Sequence, residues 1–419
     1  LGAAAMQGLF DEGMTDEDWE AKVYDALDLF SPGAPIDERK LLAGRAPQIE
    51  KLLDAVLQRG QHAILYGERG VGKSSLANVF AAKLFSPTRT LQITHINCHP
   101  DDDFDAIWRK VFKRLEVDDE RLLTRYPNGI APDDVVIEMS KFALNSIPIV
   151  IIDEFDKIED EATQINIANT VKNLSDRSVR TTVILVGVAD SAERLVADHE
   201  SVARCLRHVP MHRMFSSELR EIIDTRLERL GMTIDPDALA YIVASSRGLP
   251  HYTHLVGQRA AKAALERRSL NITIDDIDAA MPDAVGQIDQ IIRRQYHQAT
   301  LSPRQGNIYK EVLLAAAMSP IDDLGYFQPA DLQAPLAEIL KVEEAKVSLF
   351  GQHLKNLCEQ DHGKILEQVG VARKYRYRFA EPMMQAFILM SARAKGQITR
   401  EQVNQLAVSH YEPRFSNEF

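Results

Sequence analysis

An α/β fold is predicted by this 419-residue sequence: a parallel-sheet core, then an all-helical stretch, then helices closed by a two-stranded ribbon. Three observations predict it. Short apolar runs alternate with helix-period stretches up to about residue 211, which is how a parallel sheet covered on both faces is built. From about 215 to 285 the strand-like runs stop and only helical patterns continue. Further on, Lys364-Ile365-Leu366-Glu367-Gln368 and Lys374-Tyr375-Arg376-Tyr377-Arg378-Phe379 read as paired strands after three more helices.

Residues 6–38 begin acidic, with Asp11, Glu12, Asp16, Glu17, Asp18 and Glu20, and end in the turn-rich Ser31-Pro32-Gly33-Ala34-Pro35. Leu1–Ala5, ahead of Met6, read as a cloning remnant and are set aside. Ile49, Leu52, Leu53, Val56 and Leu57 then mark a helix, and His62–Tyr66 a short buried strand. The next eight residues, Gly67-Glu68-Arg69-Gly70-Val71-Gly72-Lys73-Ser74, fit G-x-x-x-x-G-K-[ST] at every fixed position. Ser75 onward reads as the helix leading out. Glycines let such a loop wrap a phosphate chain, because no Cβ keeps backbone N–H groups from pointing inward. Lys73 is expected to reach the β- and γ-phosphates and the Ser74 hydroxyl to ligate Mg²⁺, with a helix N-terminus beneath the anion. Gly67 through Ser75 are therefore the predicted phosphate-binding stretch of an ATP/ADP site.

A strand at Leu91–Asn97 follows, then helical stretches at about 103–116 and 133–145 around the turn Tyr126-Pro127-Asn128-Gly129. About eighty residues past the loop, the apolar run Ile147-Pro148-Ile149-Val150-Ile151-Ile152 ends in Asp153-Glu154-Phe155-Asp156. Acids at the C-terminal end of a buried strand, downstream of a phosphate loop, form the expected metal-and-water station. Asp153 is predicted to hold Mg²⁺ through its water shell, and Glu154 to orient and polarise the attacking water. A helix near 161–175, a strand at Thr182–Val188 and a short strand at Arg207–Met211 complete the core.

Helices are expected at 216–230, 236–246, 251–267 and 274–281, with a linking helix at 286–302. Three helices and a hairpin after it make a winged helix, a variant of the helix-turn-helix. Within its second strand Lys374, Arg376 and Arg378 alternate with Tyr375, Tyr377 and Phe379, so period two places the cations on one face and the aromatics on the other. That basic face either meets nucleic-acid phosphates or is simply solvated, and Glu359, Asp361 and Glu367 dilute it. The helix around Val347–Lys355 is the groove-reading candidate but has few long polar side chains for base edges.

Composition sets limits. The 45% apolar and 26% charged content describes a globular protein, and the length requires two or three domains. No apolar run approaches the roughly 20 residues of a membrane helix, so no membrane role is expected. The net charge of −12 argues against coating nucleic acid through bulk charge, though not against a local basic patch. Cys98, Cys205 and Cys358 show no paired pattern, which fits a reducing cytoplasm. His95, Cys98 and His99 lack the further matched ligands that a structural metal needs.

With these parts in this order, the chain resembles the AAA+ ATPases, most closely the initiator-like branch of origin-recognition and transposition-regulator ATPases. The resemblance covers roughly residues 40–395. Its phosphate-loop and acidic-strand motifs are specific; the rest matches by order and pattern. It implies a P-loop NTPase core at 39–212, an all-helical lid at 213–287, a C-terminal winged-helix domain at 288–395 and a tail at 396–419, with 6–38 as an acidic leading segment. It also implies that Gly44 and Arg45, in Leu42-Ala43-Gly44-Arg45, lie against adenine, and that Asp190 occupies the first sensor position. A carboxylate there departs from the family's uncharged polar residue and would oppose a γ-phosphate, which suggests slow hydrolysis. Arg204 or Arg207 stands where the family often carries an arginine finger that completes a neighbouring subunit's site, so nucleotide-dependent homo-oligomers are expected. In the lid, Gly248-Leu249-Pro250-His251 lacks the usual sensing arginine, leaving His251 or Arg247 as substitutes. Gly-Leu-Pro with Pro250 against adenine is also similar to the STAND signalling ATPases, which are slow nucleotide switches. Two expectations thus stand together: an ATPase acting with a nucleic-acid-associated partner, or a switch gating a partner protein in bacterial signalling or defence.

Overall fold

The computed structural model describes residues 14–32, 44–83, 90–142, 146–188, 200–288, 290–301, 306–322, 325–371 and 374–410. In chain order, α1 (Asp16–Leu29) and α2 (Ala46–Leu57) lead to β1 (His62–Gly67), α3 (Lys73–Lys83) and β2 (Thr90–Asn97). Then come α4 (Phe104–Arg114), α5 (Asp119–Arg125), α6 (Pro132–Met139), β3 (Ser146–Asp153), α7 (Glu161–Asp176), β4 (Thr182–Gly187), α8 (Glu200–Ala203) and β5 (Leu206–Met211). The mainly helical stretch is α9 (Ser216–Leu230), α10 (Pro236–Ser246), α11 (Pro250–Glu266) and α12 (Ile274–Gln287). It is followed by α13 (Gln290–Thr300), α14 (Tyr309–Met318), α15 (Gln333–Leu340) and α16 (Val347–Asn356). The wing strands Leu366–Val369 and Arg376–Phe379 precede α17 (Met383–Ala394) and α18 (Arg400–His410).

The chain divides into two compact units, one of residues 35–68 and 72–211, the other of residues 1–34, 69–71 and 212–419. In the first, five parallel strands take the order β2-β3-β4-β1-β5. Ile149, Val150, Ile151 and Ile152 are fully buried, as are Val183 and Val186, because helices cover both faces and leave a strand no polar side. Ile107, Trp108, Val111 and Phe112 of α4 pack into the same core. Ile152 pairs with Leu185, and Leu185 with Ile64. The acidic end of β3 is therefore level with the last turns of β1, separated from it by one strand. The phosphate loop and the acids meet at the carboxyl ends of the strands, where open α/β sheets bind ligands.

In the second unit, α1 is capped by Thr15 and Asp18, each side chain accepting from the other's backbone N–H. It docks on the helical stretch through Arg226, which donates to the Leu29 carbonyl at 3.1 Å, and Gln258, which donates to Leu27 and Phe30 carbonyls. Phe30 fits because Gly257 leaves room: a Cβ there would stand 2.8 Å from its ring. The winged helix is fastened to the helical stretch by buried Arg213, donating to the Arg247 carbonyl and to Gln385, and by Arg247, donating to the Ser319 carbonyl. Asp278 accepts from Arg393 and Arg400. Tyr377 and Phe379 turn inward beside Phe327, and Phe327 bridges to Tyr377.

Four elements differ from the sequence expectation, the first being a two-residue parallel pair, Thr233–Ile234 with Asn271–Ile272, inside the stretch expected to hold helices only. The acidic leading segment contains a helix, α1. A seven-residue helix, α5, sits between the two expected after β2, capped by Asp118 and anchored by one buried residue, Leu122. The helix expected to stop at 281 continues to Gln287 through Pro282, carried on by buried Ala284.

Candidate functional site: a phosphate loop facing a buried acid

Gly67 closes β1 opposite Met211 of β5. A Cβ on Gly67 would lie 2.2 Å from the Met211 carbonyl oxygen, so no other residue fits that approach. Gly70 and Gly72 have φ of +80° and +94°, values that side-chain-bearing residues avoid. The loop then enters α3, whose first bond runs from Leu76 N–H to the Gly72 carbonyl. First-turn amides have no intrahelical acceptor, so they face an anion at the helix start. Lys73 Nζ lies over the loop, donating to the Gly67 and Glu68 carbonyls at 3.0 and 2.8 Å. Val71 is buried, Glu68, Ser74 and Ser75 half-buried, and Arg69 exposed.

Asp153, 4% exposed, ends β3. Its carboxylate accepts from Glu154 N–H at 2.7 Å, shares one hollow with Ser74 and, at 3.3 Å, pairs with His95 Nε2. Burial raises its pKa, but the bonds from His95, Ser74 and Glu154 N–H outweigh burial and hold it below the usual carboxylate value. It is an anion at neutral pH, on the same hollow as Ser74 of the phosphate loop. A carboxylate and a hydroxyl are hard oxygen donors suited to Mg²⁺, which completes its shell with water and phosphate oxygens. Among the described residues no group of three or more His, Cys, Asp or Glu side chains is arranged to hold a metal.

Glu154 has φ +57° and ψ 33°, a left-handed turn that swings its side chain away from the strand; its carboxylate pairs with Lys157 at 2.7 Å. Ser74, Asp153 and Glu154 line one hollow of about 380 Å³ together with Asn78, His95, Asn97 and Arg114. The last four were not among the sequence candidates. For His95 and Asn97 a signal existed: β2 pairs in register with β3, placing Asn97 opposite Asp153. Cys98 lies buried beneath, its thiol pushed up to about 12 by burial and the neighbouring Asp102.

The remaining candidates fall elsewhere. Gly44 has φ +63° and Arg45, buried, caps the start of α2. Arg204 is exposed, pairs with Asp176 at 3.1 Å, and its carbonyl accepts from Gln61 just before β1. Arg207 pairs in register with Ala63. Both arginines therefore sit at the amino ends of the strands, opposite the hollow. Asp190 lies outside the described residues. Pro250 opens α11 in the second unit, where His251 Nδ1 meets the Pro32 carbonyl at 2.6 Å. On the wing, Lys374 is exposed, but Arg376 pairs with Asp322 at 3.0 Å and Arg378 with Glu367 at 2.7 Å, both guanidinium groups lying over Tyr326.

A parallel sheet with a phosphate loop after β1, acids after β3, a mainly helical stretch and a winged helix is the layout of a P-loop NTPase of the initiator-like AAA+ fold, with STAND features. The family model for Novel STAND NTPase 1 matches residues 24–324, and the chain belongs to that family. It is similar to the ORC1-type DNA replication protein 1 of Halobacterium salinarum, 26% identical over 277 residues that cover 63% of this chain and 82% of that protein. Its fold is similar to that of the Aeropyrum pernix ORC2 protein, solved as ADPNP–ADP complexes, with a TM-score of 0.51 and 14% identity over 91% of this chain and 96% of that one. No helix among the described residues is long and apolar enough to cross a membrane.

Proposed function

We propose that this protein binds Mg-ATP and hydrolyses it slowly, using the change of nucleotide to switch its conformation or assembly and so gate a partner. The observation that carries this reading is the buried Asp153 carboxylate lining one hollow with Ser74 of the phosphate loop and Glu154. A strand-end carboxylate and a phosphate-loop hydroxyl on one hollow supply the hard oxygen donors that a cation bound with phosphate requires. Magnesium, when bound, would neutralise phosphate charge and orient the β- and γ-oxygens.

The chain's own residues supply the rest. Loop amides and Lys73 hold the triphosphate; Lys73 exchanges its bonds to the Gly67 and Glu68 carbonyls for phosphate oxygens. Asp153, held by hydrogen bonds with His95 and the Glu154 N–H, sets the position of the Glu154 backbone. Glu154 accepts a proton from water aligned behind the γ-phosphate, once its side chain leaves Lys157. Slow turnover suits a site whose base starts in an ion pair. Gly44, Arg45, Pro250 and His251 are proposed adenine-side contacts, Asp190 a sensor, and Arg204 a trans-acting residue that reaches a second copy.

A second reading, action beside nucleic acid, draws on the winged helix and on the similarity to a DNA replication protein. The acid partners of Arg376 and Arg378 weaken it, leaving Lys374 as the proposed phosphate contact. ATP turnover by the full chain with and without duplex DNA, alongside Lys73→Ala, tests both. Slow turnover indifferent to DNA supports the switch; stimulation with salt-sensitive binding supports the second reading. Unchanged ATP affinity in Lys73→Ala would remove the phosphate loop from the account.

A further inference from the structure

One cation lines the hollow of Ser74, Asp153 and Glu154: Arg114, the last residue of α4. The same side chain, with Asn78 and His95, lines a larger adjoining trough of about 990 Å³ that also meets Lys110 and Lys113. Lys110 is matched by Asp102 at 2.5 Å, whereas among the described residues Arg114 makes no ion pair. Cations in a helix's last turn gain from the dipole, and that alone would leave Arg114 pointing to solvent. Here, though exposed, it also lines the hollow that holds the Asp153 and Glu154 carboxylates.

We propose that Arg114 contacts the γ-phosphate of nucleotide bound on its own chain, so that it senses ATP against ADP in cis. The inference rests on the phosphate-loop reading above. A hollow that receives a triphosphate beside Asp153 and Glu154 gathers negative charge, and a guanidinium answers it with a two-pronged fork shaped for phosphate oxygens. Arg204 and Arg207 do not fill this role on the same chain. Arg207 is level with Ala63, four residues before Gly67, which places it about 13 Å back along the strands. Arg114 comes from the β2–β3 connection, which no phosphate-loop motif covers, and it is the arginine that lines the hollow of Ser74, Asp153 and Glu154.

The test measures equilibrium affinities of ATP and ADP for the full chain in a Glu154→Gln background, which keeps the nucleotide intact. Arg114→Ala is expected to weaken ATP about tenfold to a hundredfold while ADP shifts less than about twofold. Arg114→Lys should recover part of the loss, and Lys113→Ala should change neither affinity. In the parent background, mixing Arg114→Ala with Lys73→Ala chains should restore no turnover, since neither copy then holds a complete site. An unchanged ATP-to-ADP ratio in folded Arg114→Ala overturns the proposal while leaving the phosphate loop intact, and so does rescue by mixing. A parent that binds neither nucleotide would sink the phosphate-loop reading itself, and this inference with it.

Discussion

Gly67 shows how one side chain's absence builds the site. Its Cα faces the Met211 carbonyl so closely that a methyl group would sit at 2.2 Å, against backbone that cannot swing aside. Gly67→Ala should therefore cost about 1–3 kcal/mol of stability and weaken ATP binding with it. Gly351→Ala is the control, since its nearest contact is Val347 Cγ1 at 3.6 Å and it sits inside a helix. Equal thermal midpoints for the two variants would contradict the packing argument. Gly67, Lys73, Ser74, Asp153 and Glu154 were readable from the chain because their chemistry fixes their spacing. Arg114 was not, because its place in the hollow depends on where α4 ends in space, and no local pattern encodes that. The Arg376–Asp322 pair was hidden for a similar reason, since Asp322 lies 54 residues from its partner, whereas Glu367 was already named as diluting the basic face.

At the scale of elements, strands whose neighbours are apolar on both faces declared themselves, as Ile147–Ile152 did. The helix α1 did not, since that segment was read only by its acidic run and its turn-rich end. The missed signal was local, Thr15 three residues before Asp18, and the packing partners Arg226, Gln258 and Gly257 lie some two hundred residues away. The wing was foreseen as a ribbon with one basic face, and the structure adds that two of its cations are engaged. Neutralising both acids, Asp322→Asn with Glu367→Gln, should raise duplex DNA affinity several-fold at low salt, with the gain fading as salt rises, if the wing meets phosphate. No gain at low salt would remove the wing from any nucleic-acid contact.

For the molecule as a whole, acid sensitivity follows from histidines kept neutral. His62 is fully buried, its pKa pushed down to about 4 by burial, and its Nδ1 accepts the Val183 N–H at 3.0 Å. His254 is likewise held near 3 by burial and by Arg226. A group whose folded pKa is depressed below its unfolded value of about 6.5 contributes fully above that value. The contribution fades as pH falls from about 6.5 toward 4. His62 alone accounts for on the order of 3 kcal/mol across that window. The parent should melt at clearly lower temperature at pH 5 than at pH 7.5, and His62→Gln should shrink the difference. A parent with the same midpoint at both pH values would contradict the neutral, accepting ring.

The fold class, a phosphate-loop core followed by helices and a wing, was legible because each part carries its own period or motif. How the helical stretch fastens to the winged helix was not, since Arg213, Arg247 and Asp278 act through contacts with no sequence spacing. The central claim remains chemical: a hollow at the carboxyl ends of the strands in which Lys73 and Ser74 hold a triphosphate and Glu154 activates water. Phosphate release from Mg-ATP under single-turnover conditions, by the parent and by Glu154→Gln, tests it most directly. The account predicts that Glu154→Gln binds ATP about as tightly as the parent yet releases phosphate about a hundredfold more slowly or worse. Release by Glu154→Gln at the parent's rate would contradict it.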